Sequence, residues 1–397
     1  MRPPSVILHF PKFNMDNLSS FKRYIVPCLA GFLQATFLWA ILTYITIYWV
    51  DSGYSHLQVG ILIAVFPLVS LLLMIPFGVV VDRISPKKLI IASQFIFALS
   101  IAGLMMTQEF WPTMLLLAVG GSGSALFNNA LPSLFYKTLG SSIRGLKLGF
   151  FTAAILVGYG LGSLLGGYIY TGFDMNAIFL FSLVGTVPMV LLSLLLADVP
   201  GTRVKISDYR ADLSGKSVLI FVILVFAFSL HVGAEQSSFS LFLNKDIKLD
   251  KESVGWLFFI HANVMAVLAI VSGYYGDRVN ARGKGLAALY YAGIAVSGLT
   301  NIMLMFTTNF GNVLATRLTH AVGDSLTLVT RSLIVSNLFI TTRMGGNLAT
   351  IQTTMTLGMV CGSIISGAVP GYASGFVIAG AAAVLAVIYA LIVKPDF

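Results

Sequence analysis

"GVVVDRISPKK" occupies residues 78–88, and a close cousin, "GYYGDRVNARGK", occupies residues 273–284. Both read Gly, three residues, Asp-Arg, a β-branched residue, Ser or Asn, and then basic residues. The two copies stand half a chain apart in an otherwise apolar text. Hydrophobic residues make up 57% of the 397, charged residues 10%, and the mean hydropathy is +0.91. A soluble globular chain carries about 25% charged residues, so this one lacks the polar surface to face water and is read as a bilayer protein.

A spanning helix needs about 20 apolar residues. Twelve apolar blocks meet that need, at 22–50, 57–81, 88–107, 113–136, 148–170, 176–197, 217–243, 253–275, 285–306, 311–339, 346–369 and 374–393. Helices are expected, because isolated strands would leave backbone groups unpaired in lipid. Cys28 and Cys361 both fall within apolar blocks and suggest neither a disulfide framework nor a metal site. Residues 1–21 contain no apolar signal-peptide core, and Met15 is an alternative start to Met1.

Twelve spans make the joints alternate sides. Among the 24 Lys and Arg, the outer joints would hold only Lys245, Lys248 and Lys251, and Arg317 and Arg331 fall inside a block. Every other one would lie inside if both termini are cytoplasmic, which the positive-inside rule favours. The net charge of +9 is then a topology signal rather than a nucleic-acid surface.

The longest inner joint, "DVPGTRVKISDYRADLSGK" at 198–216, divides the chain. The expected order is a cytoplasmic segment (1–21), a six-helix bundle (22–197), the central loop (198–216), a second bundle (217–393) and a cytoplasmic end (394–397). Each repeated phrase then follows the second helix of its bundle. A second echo agrees. "GYGLGSLLGG" in helix 5 and "GMVCGSIISG" in helix 11 share G-x-x-x-G-S-x-x-[GS]-G, placing Gly158, Gly162 and Gly166 opposite Gly358, Gly362 and Gly367 as helix-packing stripes.

Twelve helices, a long middle loop and G-x-x-x-D-R after helices 2 and 8 resemble the major facilitator superfamily. The glycine stripe of helix 5 is similar to that family's antiporter motif, with Ser163 where it has proline. The loop phrase departs from the family pattern at Ser85, Pro86 and Asn280. The resemblance implies two pseudo-symmetric six-helix bundles rocking about a central site lined by helices 1, 4, 7 and 10. It also implies a latch. Gly78 and Gly273 permit close helix contact. Asp82 and Asp277 face helix N-termini of the opposite half, helix 11 for Asp82 and by symmetry helix 5 for Asp277. Arg83 and Arg278 hold the loops inside. Each such contact is worth about 0.3–2 kcal/mol.

Intramembrane ionisable residues are costly and functional by default. Helix 10 reads "RLTHAVGDSLTLVTR", and at about 100° per residue Arg317, His320, Asp324 and Arg331 share one stripe. Helix 7 reads "HVGAEQSS", with His231, Glu235 and Ser238 on one face. Depth pairs Glu235 with His320 or Arg317, and His231 with Asp324. Glu235 has no Lys or Arg on its own helix face and is the expected proton carrier, with Asp324 second and the two histidines as relays; a static ion-pair network is the competing reading. The first bundle offers Gln34, Trp39, Tyr48, Asn128 and Asn129 as cavity residues, and Ser238 joins them. His261 reads as a packing histidine.

The expectation is a monomeric, multi-pass transporter of the cytoplasmic membrane for a small organic substrate. It is coupled to protons, with export favoured through the helix 5 stripe. A proton symporter for uptake, an uncoupled facilitator, and a transporter-like receptor or scaffold stay open. Lipids are the other expected partners. No cofactor, metal or nucleic acid is expected, and no enzymatic motif is present.

Overall fold

The computed structural model describes residues 21–140, 143–202, 209, 212–281 and 285–395. The expected N-terminal segment 1–20, the alternative start Met15, the topology residues Arg2, Lys12, Arg203, Lys205, Arg210, Arg282 and Lys284, and residues 396–397 lie outside the described residues.

Twelve long helices carry the described chain. α1 covers Lys22–Asp51, and the rest are α2 (His56–Arg83), α3 (Pro86–Leu104), α4 (Phe110–Thr138), α5 (Arg144–Gly172), α6 (Met175–Leu194), α7 (Lys216–Leu241), α8 (Lys251–Ala281), α9 (Leu286–Met303), α10 (Phe310–Leu338), α11 (Met344–Ala368) and α12 (Ser374–Val393). Eleven are long and apolar enough to cross a membrane. The exception, α10, has 29 residues but loses hydropathy to Arg317, His320, Asp324 and Arg331. No strand occurs among the described residues. Phe95, Leu99, Trp111, Leu385 and Ile392 are exposed on the outside, where a soluble protein would carry charge and a bilayer protein meets lipid.

Local chemistry sets the helix ends. Ser55 and Gln58 form a capping box at α2, and Asn309 with Asn312 does the same at α10. α1 is interrupted between Val26–Leu42 and Ile45–Asp51. There the Thr43 hydroxyl lies 2.9 Å from Ser163 Oγ, and the Tyr44 hydroxyl donates to the Ser163 carbonyl at 2.8 Å. Ser163, in the place of the antiporter proline, thus anchors the bend of α1 on α5.

Packing inside the first half pairs α1 with α5, α3 with α4, α2 with α4, α3 with α6 and α1 with α6. Adding six to each label gives the pairs of the second half: α7 with α11, α9 with α10, α8 with α10, α9 with α12 and α7 with α12. The contacts between halves obey the same two-fold relation, α5 on α8 against α11 on α2, and α5 on α10 against α11 on α4. The chain is therefore two pseudo-symmetric six-helix bundles.

Glycine makes the closest approaches possible. Any Cβ on Gly158, Gly162 or Gly166 would strike the backbone of α1 at Phe32, Thr36 or Ala40; one on Gly358 or Gly362 would strike α7 at Phe226 or Leu230. The expected stripe needs one correction. Gly367 faces open space, because five residues beyond Gly362 a helix presents another side. Ser366 continues the stripe instead, its Oγ 2.7 Å from Ser238 Oγ of α7.

The helices overrun the apolar blocks where the repeated phrase sits. Asp82 and Arg83 close α2, and Asp277 and Arg278 lie in the last turns of α8. Gly78 and Asp82, four apart, therefore share one helix face, as do Gly273 and Asp277. At Gly273 a Cβ would collide with the Gly145 carbonyl of α5, and at Gly78 with Ala349 and the Gly345 carbonyl of α11. Gly273→Val should accordingly cost about 1–3 kcal/mol, the price of overpacking, and lower the unfolding temperature of purified protein in detergent. Gly367→Val should leave it unchanged. Equal behaviour of the two variants would contradict this account of the seam.

Candidate functional site

The ionisable stripe of α10 faces α7 and meets its partners inside the second half. Arg317 Nη1 donates to Glu235 Oε1 at 2.6 Å. His320 Nε2 lies 3.3 Å from the same oxygen and 3.1 Å from Asp324 Oδ2. Asp324 Oδ1 accepts a hydrogen bond from the Ser297 hydroxyl of α9 at 2.6 Å and lies 3.6 Å from His231 Nε2. Arg317 also sits over the Phe239 ring, 4.8 Å from its centroid. His231, Arg317 and His320 are buried. The side chains of Glu235 and Asp324 keep 15% and 12% of their surface, so the network meets its surroundings through its carboxylates.

Hydrogen-bond partners fix the proton inventory. His261 Nδ1 lies 3.0 Å from the Arg317 carbonyl, an acceptor, while its Nε2 lies 3.0 Å from Arg317 Nη2, a donor. Only the neutral ring with its proton on Nδ1 satisfies both. His320 differs. Its Nδ1 lies 3.2 Å from the Ser297 carbonyl and 2.9 Å from Thr300 Oγ1, whose own proton goes to the Val296 carbonyl at 2.7 Å. Its Nε2 faces two carboxylates. No hydrogen bond joins Nε2 to either carboxylate at these distances.

His231, Glu235 and His320 bring three ligand atoms within 4.8 Å of one another, a spacing compatible with a metal ion. Arg317, hydrogen-bonded to Glu235, already delivers the positive charge a divalent ion would bring, so a proton fits this donor set better.

Both depth-derived pairings describe contacts found here. Glu235 was expected to carry the proton because its own helix face holds no Lys or Arg; of the two partners that depth offered it, Arg317 is the one that hydrogen-bonds to it, from α10. His261, read as packing, orients Arg317. Ser297 and Thr300 went unnoticed because lone hydroxyls in an apolar helix carry no signal of their own. Arg331 shares the stripe but stands apart from the network.

The expected cavity residues divide. Trp39 stacks near Tyr159 of α5, ring centroids 4.3 Å apart, and Asn128 is exposed with its amide on Ser124. The other four belong to the interiors of single halves. Gln34 lines an apolar cleft of about 600 Å³, partly open to solvent, between α1, α3, α4 and α6. Tyr48 packs against Phe179 of α6. Asn129 donates to Met74 and Ala125, and Ser238 bonds Ser366. Short polar side chains in helices pack as often as they line, and composition does not separate the two.

At the end carrying the repeated phrases the halves are joined by two aspartates. Asp82 Oδ1 and Oδ2 accept the Gly345 and Gly346 N–H groups at the start of α11, at 3.0 and 2.9 Å. Asp277 accepts Gly145 and Leu146 N–H at the start of α5, at 2.7 and 2.9 Å. Unpaired N–H groups and the helix dipole make these termini natural carboxylate sites. Among the described residues, Asp82 gains more: Lys137 Nζ of α4 at 2.8 Å, and the Tyr209 hydroxyl of the central loop at 2.9 Å. Burial, then the Asp82 charge, push the Tyr209 phenol up from its usual range. Asp212 of that loop accepts from Arg343 at 2.6 Å and from Asn347 at 2.8 Å. Arg278 lies over the Tyr274 ring at 4.3 Å, and Arg83 is exposed.

The family model of the Major Facilitator Superfamily matches this chain over residues 28–237 and 219–396. An uncharacterized MFS-type transporter of Methanocaldococcus jannaschii is 22% identical over 336 residues, 81% of this chain and 84% of that one. The crystal structure of the human organic anion transporter MFSD10 superposes with a TM-score of 0.76 at 14% identity, covering 92% of this chain and 98% of that one.

If Arg317 and Glu235 are a buried pair, removing one should cost far more than removing both. Arg317→Leu should destabilise by about 3–5 kcal/mol by stranding Glu235, and Glu235→Leu/Arg317→Leu should recover most of that loss. Unfolding temperatures in detergent check this; a double variant no better than the single one counts against direct pairing.

Proposed function

The chain belongs to the Major Facilitator Superfamily, and on that footing we propose that it is a proton-coupled secondary transporter moving a small organic molecule by alternating access. The position of His320 carries this reading. Its ring is held between Glu235 and Asp324 with the Ser297 carbonyl at Nδ1. Loss of the proton from its charged form leaves two carboxylates against one guanidinium, an uncompensated charge in a low-dielectric interior. Relief requires reprotonation or a shift of Arg317 toward Asp324, and either one moves α10 against α7. Protonation is thereby tied to helix packing, and a small difference in packing energy biases two global states.

Asp324 is the entry point of this relay, since its side chain reaches both His320 and His231 and is free of Arg317. Glu235 stays the fixed counter-charge of Arg317. This assigns the travelling proton to the His320–Asp324 pair rather than to Glu235, on the strength of the 2.6 Å contact with Arg317. The site forms no covalent bond in this scheme, and the protein is a transporter and not an enzyme.

The two aspartate contacts and the close glycines support a state closed at the end bearing the repeated phrases. The basic residues make that end cytoplasmic by the positive-inside rule, with both termini there and the cytoplasmic membrane as the location. The α5 stripe favours export. Both latches form within one chain, so a monomer is sufficient.

Proteoliposomes carrying an internal pH dye and challenged with a small-molecule library test this. Wild type should move protons when its substrate is supplied, and His320→Gln should lose that movement while still exchanging substrate in counterflow. Substrate flux without proton movement in wild type would sink the coupling, and would recommend a facilitator.

A further inference from the structure

Arg331 is the charge the network leaves over. It lies seven residues beyond Asp324, about 10.5 Å along the axis, toward the closed end. Its Nη1 is enclosed with no hydrogen-bond partner, and among the described residues no carboxylate stands within ion-pair distance of it. The ionisable groups in electrostatic range are two phenols, Tyr290 of α9 and Tyr136 of α4. The Tyr290 hydroxyl is likewise buried without a partner. The Tyr136 hydroxyl donates to the Ser332 carbonyl at 3.2 Å, a long bond across the seam between the halves.

A guanidinium has donors and no acceptor, and a phenol donates readily. The neighbourhood thus gathers donors from both halves and supplies no anion. Arg331 is half-buried, and an enclosed N–H group without a partner costs free energy; beside it the ring of Tyr290 packs against Phe221, centroids 5.7 Å apart. The shape of the fork suits a carboxylate, sulfonate or phosphate, which it binds through two parallel N–H groups.

We infer that Arg331, with Tyr290 and Tyr136, forms the binding subsite for the anionic group of the cargo, so that the cargo is an organic anion. The inference rests on the transporter reading only for the word cargo; binding of an anion at Arg331 stands or falls without transport. The location gives the site a role in the cycle. Tyr136 belongs to the first half and Arg331 to the second, so an anion bridging them draws α4 and α10 together at the seam.

The test uses purified full-length protein and one ring with different charges: benzoate, benzenesulfonate and phenyl phosphate against benzamide and benzylamine. Calorimetry should detect at least one anion at millimolar concentration and neither the amide nor the amine. Arg331→Leu should weaken the anion at least about tenfold, and Tyr290→Phe should weaken it less. Arg331→Leu should also be as heat-stable as wild type or more so, because it removes an unpaired charge rather than a partner; Arg331→Lys, which keeps the charge without the fork, should bind weakly. His320→Gln should retain anion binding, which separates failure of this site from failure of proton coupling. Binding of benzamide or benzylamine as tight as that of the anions, absence of binding by all three anions, or an Arg331→Leu variant that unfolds early while retaining affinity would overturn the inference.

Discussion

The hydrogen bond between Arg317 and Glu235 is the constraint around which the second half is built. An arginine inside a bilayer is tolerated only with compensation, and here it comes from several helices at once. Glu235 supplies charge from α7, Phe239 supplies a ring face, and His261 of α8 grips the guanidinium with one ring nitrogen and the Arg317 carbonyl with the other. Three helices, α7, α8 and α10, thereby meet at Arg317. The fourth, α9, enters through Ser297 and Thr300, which hold Asp324 and His320. Any change of charge in the network is therefore felt by α7, α8, α9 and α10 together, and no smaller unit can respond alone.

The halves share a fold and divide the labour. The same helix pairs recur with a shift of six, the same glycine pattern lets α5 lie on α1 and α11 on α7, and the same aspartate meets the N-terminus of a helix across the seam. Duplication thus accounts for the packing and for both seams. Among the described residues, nothing in the membrane interior of the first half matches the ionic network of the second. The helix pair α3–α4, counterpart of α9–α10, meets through Ser100 and the Leu116 carbonyl, where the later pair carries Asp324, His320 and their hydroxyl partners.

Much of this was legible in the sequence because bilayers simplify the code. Twelve apolar blocks fell close to the twelve helices, the largest shortfall being at the end of α8, where Gly276 to Ala281 continue the helix beyond the apolar block. Helical spacing, depth along the helices and the family resemblance together placed His231 and Glu235 opposite the stripe of α10. What spacing conveys is a face and a depth, and it says nothing about which neighbour fills the gap. So depth offered both His320 and Arg317 to Glu235 without choosing between them, His261 was read as a packing histidine without its partner Arg317, and Gln34, Asn129 and Ser238 were assigned to a central cavity although each lies within its own half. Lys137 shows the same limit: its charge reads as topology, while its buried ammonium reaches Asp82 from α4. Contacts between elements distant in the chain are where a single sequence falls silent.

The two seams are alike in geometry and differ in what fastens them. Asp277 holds α5 with two backbone N–H groups. Asp82 holds α11 with two more, a lysine and a tyrosine, and the loop bearing that tyrosine also grips Arg343 and Asn347 at the head of α11 through Asp212. Thr202 adds a backbone bond to the Asp82 carbonyl at 2.7 Å and a hydroxyl bond to Thr342 at 3.2 Å. The α5–α8 seam answers with the more extensive helix contact, Gly273 lying on Gly145, Gly149 on Ala269 and Gly160 on Ala262. One seam is thus held chiefly by backbone approach and the other by polar side chains. The central loop joins the bundles in sequence, and through Tyr209 and Asp212 it also clasps the α2–α11 seam.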